Sequence, residues 1–563
     1  MKQVINWVQL ALSRRASWIG LVFLCIALFL PGLFQIPVTD VDEARFSQAS
    51  KQMLETHDYW HINLQNTPRH LKPPAIYWLQ SLSTHLTQSA PYNQIFSYRL
   101  PSFFAATLTT LCIFFLATPR FGRKTAFIAS VIFASTLIVA FESSFSTTDA
   151  CLMLSIFIMQ WSLGEIYFAA QQQQTAARRW PFAFWTAMAL GIFLKGIAPI
   201  FALGTAVALC LFERQWRWLK QLHIGLGLLG VLALTLAWLV PFSVAGHSNF
   251  LWDMISQDVA GKVTGGQEGH GQPIGYYLLL MPLLFWPMSL YFTTACQAAK
   301  QLWQRAEIRF LAAWILPNWL IYELIPTKLI HYLMPIFPAM ALVIALALHT
   351  ISSRAPQRRI GLSVEAIIWF GYNTLLAAGI IALPYYLIHW LPISVALAAI
   401  AVLINMVLAY RYFKQQRIVA SLTSNALTAI CVYSLLFYFA FPNLNLLWNS
   451  QHVAKLLQTP RLQKLVKQSP VLVAGYHEPS LVFEAGTRAV EFSDLETIEV
   501  SYQHQQPTLA LMSDKYFQRF RRYAQQHHLT YRVTATINGY DINHGRHITL
   551  TLIEPSSTPV RSA

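Results

Sequence analysis

Two acidic and two basic residues of the first long polar stretch of the sequence, residues 37–95, have the chemistry of a binding or catalytic site. Asp42, Glu43 and Arg45 fall within four positions, and Lys72 comes directly before two prolines. Arginine offers phosphate a planar, bidentate fork, and lysine offers it a point charge. A carboxylate can hold a sugar hydroxyl, a bound cation or the proton of an attacking group. The residue types therefore predict a site for a polar, phosphorylated ligand.

Further ionisable residues lie at the edges of later apolar segments. They are Asp149, Lys195, His270, Lys328 and His331. Each of them alone has an ordinary structural explanation, such as a helix cap for a carboxylate or an extension to the surface for a lysine. Charged groups at a membrane edge are nevertheless candidates for function. Their accumulation beside apolar segments favours one shared site.

The composition places these residues in a membrane protein. The chain has 563 residues, of which 55% are hydrophobic and 11% are charged, whereas soluble domains are about 25% charged. A helix needs about 20 mainly apolar residues to cross about 30 Å of hydrocarbon. We predict thirteen spanning segments: 16–36, 96–118, 125–142, 150–169, 181–194, 198–212, 224–245, 273–296, 309–325, 329–349, 364–388, 391–410 and 420–441.

Lysine and arginine are distributed unevenly between the two sets of loops that connect these segments. One set carries 20 basic residues and the other carries eight, spread over more sequence. Because basic loops tend to stay in the cytoplasm, we predict a cytoplasmic amino terminus and a carboxy terminus outside. The net charge of +16 follows from this loop pattern, so nucleic acid is not an expected partner, whereas membrane lipids are.

The sequence divides into two predicted domains. Residues 1–442 contain all the predicted spans, and residues 443–563 are less apolar. The second part predicts a small α/β domain, with strands at 471–475, 508–512 and 547–552 and a helix at 514–527. The six cysteines all lie in apolar runs and form no Cys-x-x-Cys pair. Neither a disulfide framework nor a thiolate metal site is indicated.

Six short motifs follow one another in a distinctive order. They are Asp42-Glu43-x-Arg45-Phe46, Lys72-Pro73-Pro74, Thr148-Asp149, Phe193-Leu194-Lys195-Gly196, the stretch 266–273 and the stretch 326–332. In their order and shared outer face they resemble the GT-C glycosyltransferases of the aminoarabinose-transferase (ArnT-like) and protein O-mannosyltransferase type. The resemblance covers residues 1–440. It implies a polytopic α-helical membrane protein with about thirteen transmembrane helices and a small periplasmic α/β domain, in the bacterial inner membrane.

The resemblance also implies roles for individual residues. It makes Asp42 and Asp149 the catalytic carboxylates, and it assigns Arg45 and Lys72 to the phosphate of a polyprenyl-phosphate sugar donor. Lower-ranked substrate contacts are implied at Glu43, Lys195, His270, Lys328 and His331. Aminoarabinose transferases tend to have an acidic residue, associated with a metal, directly before the lysine of Lys-Pro-Pro. This chain has Leu71 there, so a metal site of that composition is not expected, and the metal question stays open.

The activity implied is transfer of a sugar, such as 4-amino-4-deoxy-L-arabinose, from undecaprenyl phosphate to lipid A or lipopolysaccharide. Attack opposite the leaving phosphate inverts the anomeric carbon. A protein acceptor stays open, because the resemblance includes protein O-mannosyltransferases. A transporter of lipid-linked sugars is the main alternative of another class, but it would favour internal repeats, and no repeat of fixed period is found in the sequence.

Overall fold

A computed structural model describes residues 14–40, 42–245, 250–254, 256, 271–352 and 364–556. Within these ranges, seven helices are long and apolar enough to cross a membrane, and one bent helix pair makes an eighth candidate. The chain is therefore a multi-pass membrane protein, as its composition predicts. His270, one of the predicted site residues, lies outside the described residues.

Helices make up almost all of the structure before residue 442. They are α1 (Arg14–Gln35), α2 (Asp42–Thr56), α3 (Ala75–Thr87), α4 (Phe96–Phe121), α5 (Arg123–Ala134), α6 (Leu137–Glu142), α7 (Asp149–Gln171), α8 (Arg179–Lys195), α9 (Ala198–Glu213), α10 (Ile224–Val244), α11 (Phe250–Asp253), α12 (Tyr276–Leu284), α13 (Phe292–Gln301), α14 (Ala306–Leu324), α15 (Phe337–Ser352), α16 (Val364–Ile388), α17 (Ile393–Lys414) and α18 (Ile418–Tyr433). A two-stranded hairpin, β1 (Asn63–Leu64) and β2 (Thr67–Pro68), lies between α2 and α3.

Each of the thirteen predicted spans coincides with one or two of these helices. The segment predicted at 125–142 is divided into α5 and α6. The segment predicted at 273–296 is bent by 112° between α12 and the helical residues that follow it. Among the candidate spans, α7 is the most enclosed and α10 the most exposed. A helix that is apolar on all sides can be surrounded by other helices, and α7 has that position at the centre of the bundle.

The stretch 37–95 folds over one end of the helix bundle. Its two helices, α2 and α3, pack against each other through the rings of Phe46 and Tyr77, whose centroids are 5.4 Å apart. Ser50 also donates a hydrogen bond to Gln80 across this contact, at 2.8 Å. Because both helices are anchored by buried contacts, the residues in the first turn of α2 have a fixed position at the end of the bundle.

The C-terminal part contains a small α/β domain, as the sequence predicts. Its helices are α19 (Asn449–Leu457), α20 (Pro460–Gln468), α21 (Pro479–Ala485), α22 (Leu495–Gln503) and α23 (Asp514–Gln526). Its strands are β3 (Val471–Ala474), β4 (Val490–Phe492), β5 (Ala510–Ser513), β6 (Tyr531–Asp541) and β7 (Arg546–Pro555). They form one sheet in the order β4-β3-β5-β7-β6, with parallel pairing from β4 to β5 and antiparallel pairing from β5 to β6.

The C-terminal domain is docked on α2 through α21 and the residues that follow it. Lys51 donates a hydrogen bond to the backbone oxygen of Phe483 at 2.8 Å, and its ammonium group lies 5.0 Å from the centre of that ring. Gln48 donates to Thr487 at 2.8 Å. Burial lowers the pKa of Lys51 to about 8, against the opposing effects of Glu55 and Glu484. The two parts of the protein therefore meet on the helix that begins with Asp42.

Candidate active site

A cavity of about 710 Å³ lies between the end of the helix bundle and the C-terminal domain. The helical part lines it with Asp40, Asp42, Arg45, Phe46, Arg69, Leu71, Lys72, Thr147, Thr148, Asp149, Lys195, Thr327, Leu329, His331 and Tyr332. The C-terminal domain lines it with His477, Glu478, Pro479, Ile542, Asn543 and His544. Six of the predicted site residues thus share one cavity, although they come from four separate stretches of the sequence.

The first turn of α2 presents Asp42 and Arg45 to the cavity. The Asp42 side chain is half-exposed, and its carboxylate lies 4.0 Å from the guanidinium group of Arg45. The carboxylate that reaches back to the residues before the helix belongs to Glu43, which accepts hydrogen bonds from the backbone and the hydroxyl of Thr39. Because Glu43 makes these contacts at the start of α2, the Asp42 carboxylate can contact a ligand in the cavity.

Glu43 itself points into the protein, and this corrects its predicted contact with substrate. Its carboxylate accepts two hydrogen bonds from Arg99, from Nε and Nη2, each at 2.8 Å. It also accepts one from the backbone of Ser146 at 3.0 Å. Both charged side chains are buried. A buried carboxylate needs such partners, so the acidic pair Asp42-Glu43 divides into one residue for the cavity and one for the fold.

Arg99 was not among the predicted site residues, although an arginine at the start of an apolar segment was visible in the sequence. Its guanidinium also donates to backbone oxygens at the end of α1 and just beyond it. These belong to Gly32, Leu33, Ile36 and Pro37. Arg99 therefore ties α1 and α4 to the first turn of α2, and it positions Asp42 and Arg45 without touching the cavity.

A second set of ionisable residues is connected by short contacts around the start of α7. Lys195 donates to Asp149 at 2.7 Å. His331 lies between two carboxylates, with Nε2 3.5 Å from Asp149 and Nδ1 3.2 Å from Glu142. The structure thus brings Asp149, Lys195 and His331 together, as predicted, and adds Glu142, which accepts a hydrogen bond from Thr147 at 2.8 Å. A glutamate at the end of a predicted span was the sequence signal for it.

Lys72 and Arg69 add positive charge to the same cavity. Both side chains are largely buried. The guanidinium of Arg69 donates to the hydroxyl of Tyr77 at 3.1 Å and lies 5.5 Å from the centre of the Phe46 ring. These contacts fix Arg69 beside α2 and α3. Together with Arg45, the two residues make the helical side of the cavity suitable for an anion such as a phosphate.

Lys328 does not line the cavity, so its predicted contact with a substrate is not supported by its position. Its ammonium group donates to the backbone oxygens of Gln272 and Ile325, at 2.9 and 2.8 Å. Gly271 and Thr327 are paired in a β-bridge beside it. Lys328 therefore fastens the chain at 271–272 to the segment 325–332, part of which lines the cavity.

The acidic residues near the C-terminal wall of the cavity were not predicted from the sequence. Burial and, less strongly, the neighbouring Glu478 raise the pKa of Asp40 to about 8. Burial also raises the pKa of Glu478, against the opposing hydrogen bond from Asn543. Asp40 accepts a hydrogen bond from the backbone of Ser480 at 3.2 Å. No catalytic motif marks these positions, because their approach to α2 depends on how the two domains meet.

A second, apolar cavity of about 1540 Å³ lies among α12, α13, α14, α15 and α16. Its wall includes Leu278, Phe292, Cys296 and Leu316. Gln272 stands at one end of it, and the backbone of Gln272 is held by Lys328. The apolar cavity therefore ends close to the segment that lines the polar cavity. Lipid chains are a suitable occupant for a space with so few polar groups.

A family model described as dolichyl-phosphate-mannose-protein mannosyltransferase matches residues 71–240. An undecaprenyl phosphate-alpha-4-amino-4-deoxy-L-arabinose arabinosyl transferase of Pseudomonas aeruginosa (strain UCBPP-PA14) is 27% identical over 354 residues, which is 60% of each chain. The match thus spans less than two thirds of that relative's length. A protein of the same name from Shewanella sediminis is 23% identical and covers 77% of this chain and 78% of its own length.

Solved structures agree with the sequence relatives. ArnT from Cupriavidus metallidurans, bound to undecaprenyl phosphate, superposes with a TM-score of 0.74 at 18% identity, over 96% of this chain and 98% of the other. Its structure in the apo state gives a TM-score of 0.72 over 98% of both chains. The chain thus has the fold of these ArnT structures, a polytopic helical membrane domain followed by a small C-terminal α/β domain. Its similarity to the arabinosyl transferases agrees with the resemblance found in its motifs.

Proposed function

We propose that the chain is an inverting glycosyltransferase that moves a sugar from a polyprenyl phosphate, such as undecaprenyl phosphate, to lipid A or lipopolysaccharide. The observation that carries this proposal is the meeting of Asp42, Arg45, Lys72 and Asp149 in one cavity at the end of the helix bundle. The names of the relatives, which are undecaprenyl phosphate-aminoarabinose arabinosyl transferases, support this choice of donor and make 4-amino-4-deoxy-L-arabinose the first sugar to test.

In the proposed reaction, the bond between the anomeric carbon and the phosphate oxygen breaks, and its electron pair goes to the phosphate. Arg45 and Lys72 stabilise the charge that grows there, which lowers the barrier if they bind the leaving phosphate more strongly than the donor. An acceptor oxygen forms the new bond from the opposite face. If this acceptor is a hydroxyl, Asp42 takes its proton. If it is an ionised phosphate of lipid A, Asp42 positions the acceptor or the sugar.

The network around Asp149 has a supporting role in this proposal. Lys195 and His331 hold the Asp149 carboxylate from two sides, so its oxygens have a fixed direction relative to the cavity. Asp149 then stabilises the positive charge that develops on the sugar ring, as carboxylates do in glycoside hydrolysis. Glu142 fixes the other nitrogen of His331. Asp149 is therefore the second catalytic carboxylate, and His331, Lys195 and Glu142 are its positioning residues.

The proposal places the reaction at the periplasmic face of the inner membrane, with the amino terminus in the cytoplasm. The loop charges support this orientation, and a lipid-linked sugar is the appropriate donor in a compartment without nucleotide sugars. Residues 1–442 then form the transmembrane domain and residues 443–563 the periplasmic domain. The apolar cavity among α12–α16 would hold lipid chains while the headgroup lies at the polar cavity.

Protein O-glycosylation is a second candidate function, because the matching family model describes protein mannosyltransferases. One experiment separates the two. Purified protein in proteoliposomes receives undecaprenyl-phosphate aminoarabinose together with lipid A and a serine- and threonine-rich peptide, and both acceptors are analysed by mass spectrometry. We expect a pentosamine mass increment on lipid A alone. Modification of the peptide alone would favour the second candidate, and unchanged acceptors with an intact donor would contradict both.

A further inference from the structure

Three side chains of types that bind metal ions lie together at the C-terminal wall of the polar cavity, which Glu478 and His544 line. Glu478 directly precedes α21, Asp541 ends β6, and His544 lies in the turn before β7. One carboxylate oxygen of each acid and one imidazole nitrogen all lie within 4.8 Å of one another. We propose that Glu478, Asp541 and His544 bind a divalent metal ion, with zinc as the preferred ion. Imidazole and carboxylate are both established zinc ligands.

The burial of the two carboxylates points to a cation. Glu478 is only 7% exposed and Asp541 only 5%. The Glu478 carboxylate accepts a hydrogen bond from the amide of Asn543 at 2.6 Å, and His544 and Arg45 favour its charged form electrostatically. Buried charges in proteins are normally paired or coordinate a metal. A divalent metal ion bound between Glu478 and Asp541 would supply a counter-charge in direct contact with both buried carboxylates.

The contacts within the group agree with this reading. Asp541 lies 2.8 Å from Nδ1 of His544, and Arg546 approaches it at 3.9 Å with a largely exposed side chain. These contacts explain why Asp541 and His544 are close, because the two residues share a turn. Asn543, in the same turn, holds Glu478 from a different segment through its hydrogen bond at 2.6 Å. The three side chains therefore converge on one point, where a single ion can contact all of them.

The distances require little rearrangement. Ligand atoms lie about 2.0–2.2 Å from a bound zinc ion, so two of them are about 3.3–3.6 Å apart in a tetrahedral site. The ligand atoms of the group lie within 4.8 Å of one another, so side-chain movements of about 1 Å would bring them to the distances of a tetrahedral zinc site. His544 would lose the Nδ1 proton or turn its ring on binding. The ion would join the turn between β6 and β7 to the segment before α21, and both line the cavity.

This site differs from the metal position that the family resemblance suggests. That position directly precedes Lys72 and holds Leu71, which has no donor atom. The inference does not depend on the proposed sugar transfer, because metal binding is measured without a substrate. Failure of the metal experiment would leave the transfer reaction untouched, and the reverse is also true.

The test uses the full-length protein, purified in detergent and stripped of metal with a chelator. After equilibrium dialysis against Zn²⁺, the metal content is measured by inductively coupled plasma mass spectrometry. We expect one zinc ion per chain. Loss of an outer-shell partner already weakens metal binding about 10- to 100-fold, so Asp541→Asn and His544→Ala, which remove direct ligands, should weaken it at least as much. His504→Ala, which removes an exposed histidine outside the group, should retain the full zinc content.

Thermal unfolding provides a second readout. Zinc should raise the midpoint of the wild-type protein and of His504→Ala, but not that of His544→Ala. His544 is exposed, so this variant is expected to fold even if Asp541→Asn does not. The proposal is overturned if the wild-type protein takes up less than stoichiometric zinc, or if His544→Ala and Glu478→Gln bind zinc as tightly as the wild type. Glucosamine, a sugar with a primary amine, tests a different kind of cation. The proposal is also overturned if glucosamine raises the unfolding midpoint of the wild-type protein and zinc does not.

Discussion

Arg45, Arg69 and Lys72 give the helical side of the polar cavity its positive character. Two of them belong to motifs that were visible in the sequence, and the third, Arg69, is held by Tyr77 and Phe46. The nearby Lys195 is already engaged by Asp149. At the scale of single residues, we therefore propose that Arg45 and Lys72 bind the leaving phosphate and that Lys195 orients Asp149.

Replacing Arg45 or Lys72 by alanine tests this assignment. Loss of one preorganised donor to a developing negative charge costs about 3–4 kcal/mol, or about 10²–10³ in kcat. We expect such a fall in kcat for each variant, with a smaller change in KM for the donor, measured as sugar transfer in proteoliposomes. Lys515→Ala, an exposed lysine of α23, is the matched control and should keep its activity. A kcat close to that of the wild type in Lys72→Ala would remove the assignment.

The buried pair of Glu43 and Arg99 supports a prediction about stability. Arg99→Met leaves the Glu43 carboxylate buried without its cation, and breaking a buried pair in this way costs about 3–5 kcal/mol. We expect a marked fall in the thermal unfolding midpoint in detergent. Arg519→Met, at an exposed position of α23, should unfold like the wild type. An unchanged midpoint in Arg99→Met would show that the pair does not fasten α2 to the bundle.

At this scale the sequence predicted residue types better than side-chain directions. Asp42, Arg45, Lys72, Asp149, Lys195 and His331 do line one cavity. Glu43 and Lys328 have equally suggestive types and positions, yet both point into the protein. Charge in a motif does not tell whether a side chain faces a ligand or a buried partner, because the partner, here Arg99 or a backbone oxygen, lies far away in the sequence.

At the scale of elements, α2 connects the two halves of the molecule. Its first turn supplies Asp42 and Arg45, and its later turns carry Lys51 and Gln48, which bond to the C-terminal domain. The spans were predictable because apolar segments of about 20 residues are a strong signal. The contact between α2 and α21 was not, because it depends on pairing between residues more than 400 positions apart.

Lys51 gives this contact a characteristic dependence on pH. Its pKa is about 8 in the folded protein and about 10.4 in an unfolded chain. Between these values the unfolded state binds more protons, so stability rises with pH. Burial of the charged lysine thus costs most below about pH 8, and this cost disappears as the pH approaches 10.4. Burial raises the pKa of the nearby Glu484, against the opposing effect of Lys51.

Lys51→Met tests this interpretation of the contact. The folded wild-type protein gains stability as Lys51 loses its proton, and the variant lacks this group. The unfolding midpoint of Lys51→Met minus that of the wild type should therefore become more negative as the pH rises from 8 to about 10.4. Thermal unfolding in detergent at a series of pH values measures this difference. Lys515→Met, at an exposed lysine, should give a constant difference. A constant difference for Lys51→Met would contradict the burial of a charged lysine at the contact.

At the scale of the whole molecule, a polar cavity at the end of the bundle and an apolar cavity inside it lie close together. Gln272 lines the apolar cavity, and its backbone oxygen accepts a hydrogen bond from Lys328, whose neighbours Thr327 and Leu329 line the polar cavity. This arrangement suits a ligand with a charged headgroup and a long hydrocarbon chain. The class of fold was predictable from composition and motif order. The cavity itself was not, because one of its walls comes from a domain whose docking the sequence does not reveal.

A bulky residue in the apolar cavity should weaken binding of a long-chain donor. Cys296 is exposed and lines this cavity, so we expect Cys296→Trp to raise KM for an undecaprenyl-phosphate sugar while leaving KM for a short-chain analogue unchanged. Cys431 is also exposed but does not line the cavity. Cys431→Trp is therefore the control and should behave like the wild type. Equal KM changes for long and short donors would assign the cavity a different occupant.

The central claim is that the polar cavity transfers a sugar from a polyprenyl phosphate, with Asp42 as an essential carboxylate. The most direct test is the initial rate of sugar transfer from undecaprenyl-phosphate aminoarabinose to lipid A in proteoliposomes that contain equal amounts of inserted protein. We predict that Asp42→Asn abolishes transfer, while Asp514→Asn, at an exposed aspartate outside the cavity, transfers at the wild-type rate. Full activity in a correctly inserted Asp42→Asn variant would contradict the account.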